Sequence, residues 1–265
     1  MKSLRTATSD KKQESPLQIF VLTGQSNAQG CIEDGEPLAL EAREMDDKIL
    51  LYWSLIGGNG EKVVSSSKGK IGHLQAQFFD DGSQNGHWGI EASCFRKLYS
   101  AGMHDILIIK ATRGGGGNDF WFKGSPDHHM YDAVVTAVRK ALGELDKSNR
   151  KYEFKGLLYV QGESDNNSAS IAGERAKILL DNLKTEFPNS RKMQMFIGGI
   201  AGFGPERDIT RAKQKEIAEK NYDIHFIDTS DLLQTHLYKD KLHFNNAAKI
   251  IIGERFADAI IKFIK

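Results

Sequence analysis

The stretch FVLTGQSNAQG, Phe20–Gly30, joins the end of an apolar run to a short polar motif. A continuous apolar run of this kind is typical of a strand that is buried on both faces of a parallel sheet. Gly24 allows a tight turn after the run, and Ser26 follows between Gln25 and Asn27. Two interpretations of Ser26 are open. It is a nucleophile at the end of a strand, or it is the N-cap of the next helix, because serine is a favoured cap.

The same pattern of apolar runs and helical segments continues along the chain. Six apolar runs predict strands: Leu17–Leu22, Ile49–Trp53, Asp105–Lys110, Gly156–Val160, Met193–Ile200 and Ile224–Ile227. Apolar residues at three- and four-residue spacings predict five helices, namely Glu91–Ser100, Tyr131–Leu145, Ile171–Phe187, Thr210–Lys220 and Asn246–Ile264. Strands that alternate with helices form a sheet covered on both faces. The sequence therefore predicts a three-layer α/β fold.

Two segments differ in composition from these alternating strands and helices. Residues 1–15 are polar and are interpreted as an N-terminal arm, which leaves residues 16–265 as one domain. Residues 57–89 are polar and rich in glycine, and a segment of this length is uncommon as a simple connection. We interpret it as a functional loop with one short strand of its own.

Composition narrows the class of protein. The chain has 265 residues, of which 40% are hydrophobic and 27% charged, and its formal net charge is +1. These values are typical of a globular protein, and the near-zero charge argues against nucleic acid or an anionic membrane as the main partner. The N-terminus lacks the apolar centre of a signal peptide. As written, the chain is expected to be cytoplasmic, or secreted or periplasmic if a leader was removed. The oligomeric state is left open.

The two cysteines, Cys31 and Cys94, are too few for a disulfide framework and have no metal-binding spacing. Buried thiols are expected. No cluster of histidine, cysteine and carboxylate residues has the spacing of a metal site, so neither a metal nor another cofactor is expected.

Ligands of open α/β sheets bind beyond the carboxyl ends of the strands. Polar or glycine-rich sequence follows most of the predicted strands, in the segments TGQSNAQG, KATRGGGGNDFW, QGESDNN, GGIAGFG and DTSDLLQTHLYKDKLHFN. The functional site is expected where these segments meet.

A nucleophilic serine needs a histidine to take its proton and an acid to orient that histidine. Among the eight histidines, His243 has Asp240 three residues before it, just ahead of the last predicted helix. At this spacing a carboxylate can fold back onto the imidazole. In the alternative interpretation both residues help to start the helix, with Asn245 as its cap. The chain has no G-x-S-x-G motif, because position 28 is alanine, and an ordinary α/β-hydrolase is therefore disfavoured.

The motifs GQSNA, QGESD and DKLH together resemble those of the SGNH-hydrolase superfamily, in its branch of carbohydrate esterase family six and sialate O-acetylesterase-like proteins. The segments WGIEASCFRKLYSAG and IIKATRGGGGNDFW resemble two further blocks of that branch. The resemblance runs in order from Leu17 to about Phe256. It implies a flavodoxin-like, three-layer fold with a central parallel five-stranded sheet.

The resemblance also implies roles for individual residues. Ser26 would be the nucleophile, His243 the general base and Asp240 the acid that orients it. The oxyanion of the tetrahedral intermediate would be held by the backbone N–H groups of Ser26 and Gly89 and by the side-chain amide of Gln161.

Further residues are expected to bind the substrate or to brace the site: Gln25, Asn27, Glu91, Arg113, Gly115, Glu163 and Trp121. Glu163 either braces the site, through the backbone or Arg113, or competes with Asp240 for the histidine. Trp121 is either a core side chain or a platform for sugar stacking.

The expected function is that of a metal-independent serine esterase that removes acetyl groups from carbohydrate, as an acetylxylan esterase does, through an acyl-Ser26 intermediate. A sialate O-acetylesterase, or an esterase for another small acetylated sugar, is the alternative within enzymes. A carbohydrate-binding protein with the same fold and no turnover is the alternative outside them. The expected partner is an acetylated carbohydrate, with no nucleic acid and no membrane.

Overall fold

The computed structural model describes residues 15–30, 42–57, 62–78, 86–126 and 129–264. The predicted N-terminal arm, except Ser15, and Cys31 lie outside these ranges. The strands are β1 Leu17–Gly24, β2 Leu50–Ile56, β3 Val63–Ser66, β4 Gly72–His73, β5 Ile106–Arg113, β6 Tyr152–Val160, β7 Gln194–Gly198 and β8 Ile224–Ile227. The α-helices are α1 Ser26–Gln29, α2 Glu91–Ser100, α3 Met130–Asp146, α4 Ala172–Glu186, α5 Pro205–Lys220 and α6 Asn246–Ile264.

Within the described ranges, the strands form one sheet in the order β3-β2-β5-β1-β6-β7-β8, with β4 also paired to β2. The strands β2, β5, β1, β6, β7 and β8 run parallel, whereas β3 and β4 are antiparallel to β2. The predicted three-layer α/β fold is confirmed, but the expectation of a five-stranded parallel sheet is wrong. Each of the six apolar runs forms a parallel strand, and the glycine-rich segment adds two short strands rather than one.

The helices agree closely with the periodic segments, except at the start of α5. This helix begins at Pro205, five residues before the predicted start at Thr210. Its first turn is polar, so apolar periodicity cannot reveal it. The signals that do mark the start are a proline in the first turn and the acidic residues Glu206 and Asp208. In the part of the chain that the structure describes, no helix is long and apolar enough to cross a membrane.

The core divides into two hydrophobic clusters, one on each face of the sheet. Strand β1 contributes to both, because Ile19 and Val21 pack into one cluster while Phe20 and Leu22 pack into the other. The first cluster includes side chains of α3 and α4, and the second includes side chains of α2 and α6. Burial on both faces makes β1 a central strand and brings its carboxyl end to the middle of the sheet edge.

Candidate active site

The turn after β1 places Ser26 at the start of α1. Gly24 has φ +138°, and a Cβ atom there would lie 1.9 Å from the carbonyl oxygen of Val160, so the turn requires glycine. The N–H of Gln25 donates to the same oxygen at 3.0 Å, which ties the turn to β6. Gln25 occupies the N-cap position and Ser26 is the first helical residue. The interpretation of Ser26 as an N-cap is therefore wrong.

A continuous chain of hydrogen bonds links Ser26 to Asp240 through His243. The Oγ atom of Ser26 lies 2.7 Å from Nε2 of His243, and Nδ1 of the same ring lies 2.6 Å from Oδ2 of Asp240. Partial burial raises the pKa of Asp240, but hydrogen bonds from the His243 ring and from the N–H groups of Leu242 and His243 outweigh it. The pKa of this carboxyl group therefore lies below its ordinary value, which keeps a negative charge beside the imidazole.

Asp240 and His243 lie on one short hairpin before α6. Leu237 and Phe244 form an antiparallel bridge, and the N–H of Tyr238 donates to the carbonyl oxygen of His243 at 2.8 Å. The cap of α6 is a separate residue, Asn245, whose Oδ1 atom accepts the N–H of Ala248 at 3.0 Å. Neither Asp240 nor His243 is used to start the helix.

Glu163 holds the two residues that flank the nucleophile. Its carboxylate accepts hydrogen bonds from the side-chain amides of Gln25 and Asn27, the second at 2.6 Å. It also accepts the N–H of Ala201 at 3.2 Å. Burial raises the pKa of Glu163, although these hydrogen bonds oppose the shift. The geometry matches a bracing residue that acts through two side-chain amides and a backbone N–H, whereas the carboxylate that contacts His243 is Asp240.

Asn27 joins the nucleophile helix to the histidine hairpin. Its Nδ2 atom donates to the carbonyl oxygen of Leu242 at 3.2 Å, and its Oδ1 atom accepts the N–H of Phe244 at 2.9 Å. These two partners stand on either side of His243. Asn27 therefore fixes the backbone that carries the imidazole relative to the neighbouring Ser26.

The structure places Gln161 after β6 as expected, but its amide is already occupied. The Nε2 atom donates to the carbonyl oxygen of Gly116 at 3.1 Å and to Oδ1 of Asp165 at 3.0 Å. The Oε1 atom accepts the hydroxyl of Tyr159 at 3.2 Å. A side-chain amide has two N–H protons, and both have acceptors here. The expectation that Gln161 offers a donor to an oxyanion is not met in this structure.

A similar correction applies to Gly89, whose N–H donates to Oε1 of Glu91 at 2.9 Å. Glu91 forms an ion pair with Lys110 at 2.7 Å, and both side chains are completely buried. The Nζ atom of Lys110 also donates to the carbonyl oxygen of Gln29 at 2.9 Å and to Oε1 of Gln77 at 2.8 Å. Glu91 thus braces the backbone at Gly89. The Gly89 N–H is bonded to this carboxylate and is not free for a ligand.

The backbone N–H of Ser26 has no acceptor inside α1, because Ser26 is the first residue of that helix. The role of this N–H group as an oxyanion donor stays a prediction.

Trp121 is a core side chain and not a sugar platform. It is 2% exposed, its Nε1 atom donates to Oγ1 of Thr23 at 2.8 Å, and its ring meets that of Tyr159 edge-on.

Arg113 lies over the ring of Phe120, with 4.2 Å between the guanidinium carbon and the ring centroid. The exposed Gly115 has φ +69° and makes the turn between them.

Lys110 and Asp165 are buried charged residues that contact predicted site residues, Glu91 and Gln161, but were not themselves predicted to belong to the site. Lys110 ends an apolar run, and a lysine in a fully buried strand is a signal in itself because buried charges are paired. Asp165 belongs to the QGESD motif. It accepts the backbone N–H of Asn118 at 2.6 Å, and burial raises the pKa of its carboxyl group. Cys94 is buried as expected.

Residues 16–262 match the model of one protein family, described as carbohydrate esterase, sialic acid-specific acetylesterase. The chain belongs to this family. As a member of the acetylesterase family, it is a carboxylic ester hydrolase. No curated protein sequence matches the chain.

Solved structures share the fold of this acetylesterase-family chain. A protein from Arabidopsis thaliana is 19% identical, with TM-score 0.71, over 95% of this chain and 100% of the other. The protein named NanS is 18% identical, with TM-score 0.61, over 95% and 99%. A carbohydrate acetylesterase from Xanthomonas citri is 14% identical, with TM-score 0.58, over 93% and 56%. Similarity at this level shows a common fold.

Proposed function

We propose that this chain is a serine acetylesterase that acts on an acetylated carbohydrate through an acyl-Ser26 intermediate. The observation that carries the proposal is the hydrogen-bonded chain from Asp240 through His243 to Ser26. The family match supports an acetylated carbohydrate as the substrate class.

The reaction follows from the positions of the protons. Nε2 of His243 accepts the hydroxyl proton as Oγ of Ser26 attacks the ester carbonyl carbon, and the imidazolium that forms is stabilised by Asp240. The tetrahedral oxyanion is held by the Ser26 N–H at the start of α1. His243 then gives its proton to the departing sugar oxygen. Water enters, loses a proton to His243 and attacks the acyl carbon. The bond from that carbon to Oγ of Ser26 then breaks, acetate leaves, and His243 returns the proton to Oγ, which restores Ser26.

Trapping of the acyl-enzyme tests this mechanism. The protein is mixed with p-nitrophenyl acetate and quenched, the intact mass is measured, and the modified residue is located by peptide mapping. We expect a burst of p-nitrophenol and one acetyl group on Ser26. Ser26→Ala should give neither, while the exposed Ser100→Ala should behave as the unsubstituted protein. A folded Ser26→Ala variant that still releases p-nitrophenol catalytically would contradict the proposal.

The sugar is decided by a second assay, acetate release from acetylated xylan and from O-acetylated sialic acid. The family description favours sialic acid, whereas the sequence motifs suggested an enzyme resembling acetylxylan esterases. Release from one and not the other assigns the substrate. Hydrolysis of aryl acetate alone would contradict the carbohydrate part of the proposal. A protein that binds sugars and releases no acetate would be a binding protein with this fold.

A further inference from the structure

Phe203 is an exposed aromatic side chain at the carboxyl edge of the sheet. Phe203, in the loop after β7, is 44% exposed. Within the described residues its ring has no aromatic or cation–π partner. Phe120 and Phe122, in the loop after β5, differ in this respect, because Arg113 covers the first at 4.2 Å and Arg175 covers the second at 3.9 Å.

The backbone on both sides of Phe203 is fixed. Gly202 has φ +82° and Gly204 has φ +124°, which are backbone conformations that residues with a side chain rarely adopt. Nη1 of Arg207 donates to the carbonyl oxygen of Phe203 at 2.8 Å. Nη1 of Arg211 donates to the carbonyl oxygen of Gly202 at 3.1 Å. The backbone that carries the ring is therefore fixed before any ligand arrives, which lowers the entropy cost of ordering this loop on binding.

The same loop is connected to the nucleophile. Oε1 of Glu163 accepts the N–H of Ala201 at 3.2 Å and the side-chain amide of Asn27 at 2.6 Å. Asn27 is the neighbour of Ser26, and Ala201 lies two residues before Phe203. Only β6 separates β1 from β7 in the sheet, so the carboxyl ends of these two strands are ~10 Å apart. The loop that carries Phe203 therefore begins close enough to Ser26 for the alcohol part of a bound ester to extend toward it.

We propose that Phe203 is a stacking platform for a sugar ring of the acetylated substrate. The inference rests on the proposed function and adds a subsite to it. The face of a pyranose ring that carries axial C–H groups is apolar, and these hydrogens are attracted by the negative face of an aromatic ring. The hydroxyl groups at the ring edge stay in water, which suits a half-exposed platform.

The test compares two substrates, an O-acetylated monosaccharide and methyl acetate, which has the ester but no ring. Phe203→Ala should lower kcat/KM for the acetylated sugar by about 3- to 10-fold, through a higher KM, and should leave kcat/KM for methyl acetate unchanged. Phe203→Trp should keep the activity on the sugar, because the indole ring preserves the stacking face. Tyr222→Ala is the matched control, since Tyr222 is 94% exposed and precedes β8 at the opposite edge of the sheet. The Tyr222→Ala substitution should leave kcat/KM unchanged for both substrates.

Each alternative result has one meaning. Equal activity of Phe203→Ala and the unsubstituted protein on the sugar overturns the subsite while the esterase stands. Equal losses of kcat/KM on both substrates would show that Phe203 stabilises the loop and does not stack on the sugar ring. This result also overturns the subsite. If the unsubstituted protein hydrolyses neither substrate, the proposed function is overturned, and the inference with it.

Discussion

The carboxylate of Asp165 accepts the side-chain amide of Gln161 at 3.0 Å, and both residues are 1% exposed. The amide nitrogen of Gln161 also donates to the carbonyl oxygen of Gly116, and the amide oxygen accepts the hydroxyl of Tyr159. Tyr159, Gly116 and Asp165 are all buried around Gln161, and Asp165 is also held by the backbone N–H of Asn118 at 2.6 Å. The arrangement is that of a structural glutamine that joins the loops after β5 and β6.

Gln161→Ala should therefore reduce stability. Removal of the amide takes away a hydrogen-bond partner of the Gly116 carbonyl and of the Tyr159 hydroxyl, and each such loss in a buried site costs about 1–3 kcal/mol. Asp165 keeps its hydrogen bonds from Asn118. The free energy of unfolding in urea measures the effect. The exposed Gln75→Ala is the control and should change it by less than about 0.5 kcal/mol. Unchanged stability together with a 10²–10³-fold lower kcat would instead restore the oxyanion role.

Lys110→Met should destabilise the protein strongly. The substitution leaves the completely buried Glu91 carboxylate without its cation, and loss of one partner of a buried ion pair costs about 3–5 kcal/mol. Lys97→Met provides the comparison, because its ion pair with Asp258 is exposed and such pairs contribute about 0–1 kcal/mol. Urea unfolding of both variants gives the result. Similar losses in the two variants would show that the buried pair has no special role.

Asp240→Asn should lower kcat far more than Glu163→Gln. Without a carboxylate at Nδ1, the imidazole loses its orienting acceptor, and in serine triads this costs ~10⁴-fold in kcat. Glu163 acts only through Gln25, Asn27 and the loop backbone. Its replacement should reduce kcat less and lower the thermal midpoint more. The reverse ranking of kcat would make Glu163 the functional acid.

The pH dependence of the rate should contain no step from Asp240. Histidine must be neutral to accept the serine proton, so kcat/KM should rise with pH between about 5 and 8. The pKa of Asp240 lies below its ordinary value, so this carboxylate stays ionised across that range and adds no second step. A profile of kcat/KM against pH checks both statements. Burial raises the pKa of Glu163, so a second ionisation within the range would contradict the assignment of Asp240 only if it persists in Glu163→Gln.

The predicted features that the structure shows are those that depend on local pattern. Apolar runs mark the parallel strands, and the three-residue spacing of Asp240 and His243 sets a contact within one hairpin. Among the partners that the fold brings together, only the resemblance paired Ser26 with His243, which lie 2.7 Å apart; the other partners were not predictable. The orientation of the Gln161 amide depends on Gly116 in another loop, and Trp121 is core because Thr23 of β1 accepts its N–H. The buried Lys110 was visible as a charged residue in an apolar run, but its partners were not.

The acid–base pair and the nucleophile have very different separations along the chain. Asp240 and His243 are three residues apart, whereas His243 and Ser26 are separated by 217 residues. The first contact can form locally, even on a nascent hairpin, but the second requires the ordering of nearly every intervening strand and crossover. During synthesis, a chain that ends before His243 can therefore complete most of its sheet and still have no active serine. Recovery of esterase activity is accordingly a strict measure of complete refolding, because it reports a contact between two residues that lie 217 positions apart in the chain.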